Sequence, residues 1–132
     1  MTQGYMRYPP AGRCYGTLSA QVSEPIPAGT VPIRVRNGYG TAITILGVQG
    51  FATALTAGGC TLDLQNAATA SHLAAPIALV AGARASTTTI TGAAGTTIAA
   101  GVDAYFIFIS AGGGATNDAQ AILTYTVQML SL

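Results

Sequence analysis

Asp103-Ala-Tyr-Phe-Ile-Phe-Ile-Ser110 holds five large apolar residues in succession and two of the three phenylalanines of the chain. Read as a strand of period two, it places Tyr105, Ile107 and Ile109 on one face and Phe106 and Phe108 on the other. Both faces therefore call for cover, and a strand dry on both sides belongs in the middle of a sheet. The remaining apolar segments read as thinner strands around it, each with one apolar face.

Immediately downstream, Gly112-Gly-Gly114 and Asn117-Asp118 read as a loop, and Gln120 to Leu130 closes the chain as an alternating strand. Ala121, Leu123, Tyr125, Val127 and Met129 share its apolar face. Upstream lies a tract of Ser, Thr, Gly and Ala, 85 to 100, with Ile90 and Ile98 as its only large apolar anchors. Its β-branched content favours two short strands about a turn at 92 to 95, with a disordered linker as the alternative. Earlier still, Pro76 to Val80 is a short apolar strand. Cys60-Thr-Leu-Asp-Leu-Gln65 alternates Cys60, Leu62 and Leu64 inward against Thr61, Asp63 and Gln65. Residues 66 to 73 read as a loop or a short helical turn.

In the first third, Leu18, Ala20 and Val22 alternate with polar neighbours, as do Val31, Ile33 and Val35 with Arg34 and Arg36 outward. Pro32 marks the latter strand as an edge or a strand start, because proline cannot donate to a ladder. Asn37-Gly38 predicts a two-residue type I′ hairpin to the strand 39 to 48. That register sets Arg36 against Tyr39 as a cation–π pair, and it puts Ile43 and Ile45 on the face of the two arginines. Either a bulge shifts the register or that face is covered.

Residues 1 to 15 show no period of 2 or 3.6 and are expected to form an extended N-terminal arm, with a single domain at 16 to 132. Tyr and Arg are enriched where protein surfaces meet. The arm's Tyr5, Arg7, Tyr8, Pro9, Pro10, Arg13 and Tyr15, with Arg34, Arg36 and Tyr39, are therefore the candidate interface residues.

Eight or nine short strands without a long helical pattern predict an all-β fold, a two-sheet antiparallel β-sandwich. The jelly roll is the first candidate and an immunoglobulin-like sandwich the second. One domain fits 132 residues.

Charge is the unusual property. Ordinary domains are about 25% charged, whereas this chain is 7% charged, with five Arg, no Lys and four acids. A folded monomer of this mass exposes roughly 6,400 Å², or about one charge per 700 Å². So sparse a surface implies cover by other copies or a partner; solvation by Thr, Ser, Asn and Gln is the alternative. Net charge of +1 argues against nucleic acid. The first ten residues lack a signal-peptide core, and the longest apolar run, 73 to 83, is about half a membrane span. Synthesis in the cytoplasm follows as the expectation. Cys14 and Cys60 lack metal spacing, and free thiols are favoured.

Catalytic chemistry finds little footing. His72 is the only histidine, Asp63, Asp103 and Asp118 share no metal-loop spacing, and Gly112 to Gly114 precede neither a helix start nor a Lys. No catalytic residue, metal or cofactor is predicted. A receptor- or glycan-binding head or fibre module is the alternative function, with Tyr39 beside Asn37 as its one suggestive cluster.

From Cys60 onward, Leu62-Asp-Leu-Gln65, Ala75-Pro-Ile-Ala-Leu-Val80, Ile98-Ala-Ala-Gly-Val-Asp103 and the closing strand resemble small β-sandwich, jelly-roll head decoration or cement proteins of tailed bacteriophages. The resemblance spans roughly the last 70 residues in pattern only. It implies a homotrimer on the capsid exterior that binds the major capsid protein, and it assigns no residue a role.

Overall fold

In a computed structural model, described over residues 13–22, 25–55 and 57–128, the chain forms nine strands. They are β1 (Arg13–Val22), β2 (Ile26–Arg36), β3 (Ile43–Phe51), β4 (Cys60–Gln65), β5 (Ile77–Ala78), β6 (Ala85–Thr87), β7 (Thr97–Ile98), β8 (Asp103–Thr116) and β9 (Ala119–Gln128). One sheet runs β1-β9-β3-β6, with β7 also on β3, and the other runs β2-β8-β4-β5. Consecutive strands mostly change sheet, and the antiparallel pairs β1:β9, β2:β8, β3:β6 and β4:β5 are those of one long hairpin rolled upon itself. That order is the jelly roll, so the all-β two-sheet sandwich expected from the sequence is the fold.

The core lies between the sheets and is set by strand alternation. Phe106 and Phe108 of β8 and Leu62 and Leu64 of β4 are fully buried from one sheet. Ala121, Leu123, Tyr125 and Val127 of β9 with Ile43, Ile45 and Val48 of β3 face them from the other. Each large side chain removed from water contributes roughly 1.5–3 kcal/mol before entropy is counted. In β3 the inward parity changes from Ile43 and Ile45 to Val48 and Gly50, because the ladder to β9 skips Leu46. A bulge at that residue keeps apolar side chains inward on both sides of it.

Several sequence expectations are corrected. Asn37-Gly38 is not a hairpin: β2 pairs with β8 and β3 lies in the opposite sheet, so the dipeptide begins a crossover between layers. Neither residue has positive φ, which a type I′ turn requires. Asn37 is instead 1% exposed, and its Nδ2 donates to the carbonyls of Thr41 (2.9 Å), Ile98 (2.9 Å) and Ala99 (3.1 Å). Its backbone N–H bonds Val102 and its carbonyl receives Gly101, so one side chain and its peptide tie the two inter-sheet crossovers together. The problem of Ile43 and Ile45 sharing a face with the arginines disappears, since they belong to different sheets.

Strand β8 is interior, as expected, but only one of its faces is dry throughout: Ile109 is 39% exposed on the outer side. The strand also continues through Gly112–Gly114 to Thr116, where the register to β2 shifts between Pro27 and Gly29. The turn is confined to Asn117-Asp118, with Asp118 at φ 50°. Finally, β1 starts at Arg13 and pairs there with Gln128, so Arg13 and Tyr15 belong to the sandwich rather than to an arm.

The tract at 85 to 100 forms β6 and β7 about a turn closed by the Gly95 N–H to the Gly92 carbonyl, with Ile90 and Ile98 buried. Gly92 is required there, since a Cβ would meet the carbonyl oxygens of Ser71 and Leu73.

Candidate functional site

His72, Asp63 and Asp118 are engaged in structure. His72 is buried, and its Nδ1 donates to the Gly95 carbonyl at 2.7 Å, pinning one loop to the other. Asp63 points to the outer side of β4 yet is buried beneath the 66–75 loop. Its oxygens accept from the Leu64 N–H (2.8 Å), Gln65 Nε2 (3.0 Å) and the Ser71 hydroxyl. Asp118 accepts from the Thr53 hydroxyl. Among the described residues no three metal-ligating groups converge, and no helix is long and apolar enough to cross a membrane. Cys14 is exposed and Cys60 buried, both as free thiols, in different sheets.

What remains is surface. The predicted interface residues separate into three places. Tyr5, Arg7, Tyr8, Pro9 and Pro10 lie outside the described residues. Arg13 and Tyr15 stand on the outward side of β1, where Tyr15 is 72% exposed, the highest value among the large apolar side chains. Arg34 and Arg36 stand on the outward side of β2, and both reach Asp103 of β8, at 3.8 and 3.2 Å. Register explains this meeting, since Arg36 is directly opposite Asp103 and Arg34 opposite Tyr105. Exposed pairs of this kind contribute roughly 0–1 kcal/mol, so they shape the surface more than they hold the fold.

Tyr39 is not stacked on Arg36. Its ring meets Tyr125 edge-on at 5.8 Å between centroids, and the two hydroxyls are 3.0 Å apart. Gly16 makes this possible, because a Cβ there would stand 2.5 Å from the Tyr125 hydroxyl. The hydrogen bond to Tyr39, and then burial, push the Tyr125 phenol up to about 12. The cluster that suggested glycan binding is thus occupied: Asn37 is sealed in the crossover and Tyr39 is held by Tyr125.

A surface that sequence reasoning missed lies on the outer side of the β2-β8-β4-β5 sheet. Tyr105, Ile107 and Ile109 form its central row, with Pro32 beside Ile107 across the ladder. A shallow groove of about 180 Å³ opens between this row and the 66–69 loop. The signal was present in the sequence as the second apolar face of β8; on it Tyr105 is half-buried, Ile107 is buried beside the 66–69 loop and Ile109 is exposed. The opposite outer side carries Thr17, Ser19, Thr124, Thr126, Thr44 and Gln49, together with Arg13, the exposed Tyr15 ring and Ile122.

No protein-family model matches the chain, and no curated protein matches it. By structure it is similar to chains from infectious bursal disease virus. The structure of the Gx strain gives a TM-score of 0.42 at 20% identity over 88% of this chain and 32% of that one. The VP2 subviral particle gives 0.45 at 14% identity, over 88% and 33%. The T=1 particles derived from that virus give 0.43 at 18% identity, over 88% and 32%. This chain spans about a third of the length of each, with identity at or below 20%.

Proposed function

We propose that this chain is a structural virion protein, a decoration or cement subunit that sits on the capsid exterior and stabilises contacts between capsomers. One observation carries the reading: a jelly roll of 6793 Å² accessible surface has nine formal charges in its sequence and leaves Tyr15 and Ile109 exposed on the outer sides of its two sheets. A surface so poor in charge is suited to permanent contact. Cementing needs many modest contacts repeated over a lattice, which multiply through multivalency and require no active site.

On this reading Tyr5, Arg7, Tyr8, Pro9 and Pro10 bind the major capsid protein, and Arg13, Tyr15, Arg34, Arg36 and Tyr39 border the contact. The subunit is a homo-oligomer, a trimer by the phage resemblance, made in the host cytoplasm. The test is to remove residues 1–12, which leaves β1 whole, and to measure occupancy on purified shells. A fall of tenfold or more in occupancy is expected; unchanged occupancy would remove the arm from the account.

A further inference from the structure

The two sheets have four edges, and three of them are blunted. β5 and β7 are two residues long and β6 is three, too short to template another strand. β2 is long, but it carries Pro27, Pro32, Arg34 and Arg36 and a register break between Pro27 and Gly29. Prolines, charges and bulges of this kind are how natural sheets prevent edge-to-edge pairing. β1 has none of these protections in its interior. It runs for ten residues, Arg-Cys-Tyr-Gly-Thr-Leu-Ser-Ala-Gln-Val, without a proline. Its register to β9 is unbroken from Arg13↔Gln128 to Val22↔Ala119, and its one charge is at the first position. Among the described residues it is paired on one side only.

We propose that the free edge of β1 pairs with β1 of a second copy, antiparallel about a two-fold axis at Thr17. Residues directly opposite in an antiparallel pair must share a face, so a two-fold axis normal to the sheet has to pass through a residue pair rather than between residues. With Thr17 opposite Thr17, Arg13 meets Gln21 and Tyr15 meets Ser19 on the outer face, while Cys14 meets Ala20 and Gly16 meets Leu18 on the inner. The two Arg13 side chains stand at opposite ends, so no like charges face each other, and the exposed Tyr15 ring gains a neighbour. A strand pair of this length sits at the small end of specific interfaces, below roughly 1,200 Å², so the contact is reversible. It does not rest on the virion reading, and it is separate from any three-fold contact.

The experiment uses charge at the axis. Thr17 is exposed on the outward side of β1, so Thr17→Lys and Thr17→Glu leave the sandwich folded, which circular dichroism checks. Native mass spectrometry of the full chain is expected to give an even multiple of the subunit mass. Each variant alone halves that mass, and an equimolar mixture restores it as a one-to-one Lys/Glu pairing. A mass unchanged by either substitution would overturn the proposal by placing the contact elsewhere. A wild-type chain that is monomeric at every concentration would overturn it too, and would leave the edge to a strand from another protein.

Discussion

The two sheets share one construction on the inside and differ on the outside. Inward, both present unbroken apolar rows: Phe106 and Phe108 with Leu62 and Leu64 from one, Leu123 and Val127 with Ile43 and Val48 from the other. Outward, the β1-β9-β3-β6 sheet shows Thr, Ser and Gln around Arg13, Tyr15 and Ile122, whereas the β2-β8-β4-β5 sheet shows Tyr105 and Ile109 on either side of a buried Ile107, flanked by Arg34, Arg36 and Asp103. Scarcity of charge is therefore not spread evenly. Hydroxyls and amides predominate on one outer side, while Arg34, Arg36 and Asp103 gather on the other.

Truncating neighbours on β8 that point to opposite sides separates inside from outside most strongly. Phe108→Ala removes a fully buried ring and is expected to cost about 3–5 kcal/mol. Ile109→Ala, one residue on, should cost under about 1 kcal/mol, because the side chain is already 39% exposed. Urea titration measures both; equal losses would mean that the outer face is packed. Next is the tie between the sheets. Asn37→Asp replaces an amide donor with a carboxylate facing three carbonyls, and a loss of about 3 kcal/mol is expected by the same titration.

Two glycines give a smaller contrast. Gly16→Ala drives a Cβ into the Tyr125 hydroxyl and should cost about 1–3 kcal/mol. Gly38→Ala meets nothing within 4 Å and has no positive φ to strain, so thermal melting should shift by less than about 0.5 kcal/mol equivalent. A large loss at Gly38 would restore the hairpin turn that the fold replaces. A further effect is pH-dependent. Tyr125 holds its proton more tightly folded, near 12, than unfolded, near the ordinary value of about 10. Its contribution is complete below pH 10 and is lost as pH rises from about 10 to 12. Denaturation at pH 9 and pH 11 should show this loss, and Tyr39→Phe should reduce it.

Alternation made most of the interior legible. The inward sets of β2, β4 and β9 and the edge position of β2 follow from apolar period and from Pro32, and the buried anchors Ile90 and Ile98 stand out in their tract of small residues. Asn37-Gly38 misled because dipeptide preference is local: it reports what two residues do in a hairpin and carries no information about which sheet the next strand joins. There the Asn amide served better as a three-carbonyl clasp than as a left-handed turn residue. For the candidate surface, the outward direction of Arg34 and Arg36 was legible, while their partner Asp103 lies 67 residues from Arg36 and only register reveals it. The exposure of Ile109, two residues from the buried Ile107, was hidden for a similar reason, since the pattern of a strand states which faces are apolar and not which of them another layer covers.

An exterior built for contact with other protein should show itself in solution. Sedimentation velocity of the purified chain in dilute salt, from nanomolar to tens of micromolar, tests it most directly. The account predicts reversible assembly with rising concentration and a sedimentation coefficient well above that of a 13.2 kDa monomer. A single, freely soluble monomer across the whole range would contradict it.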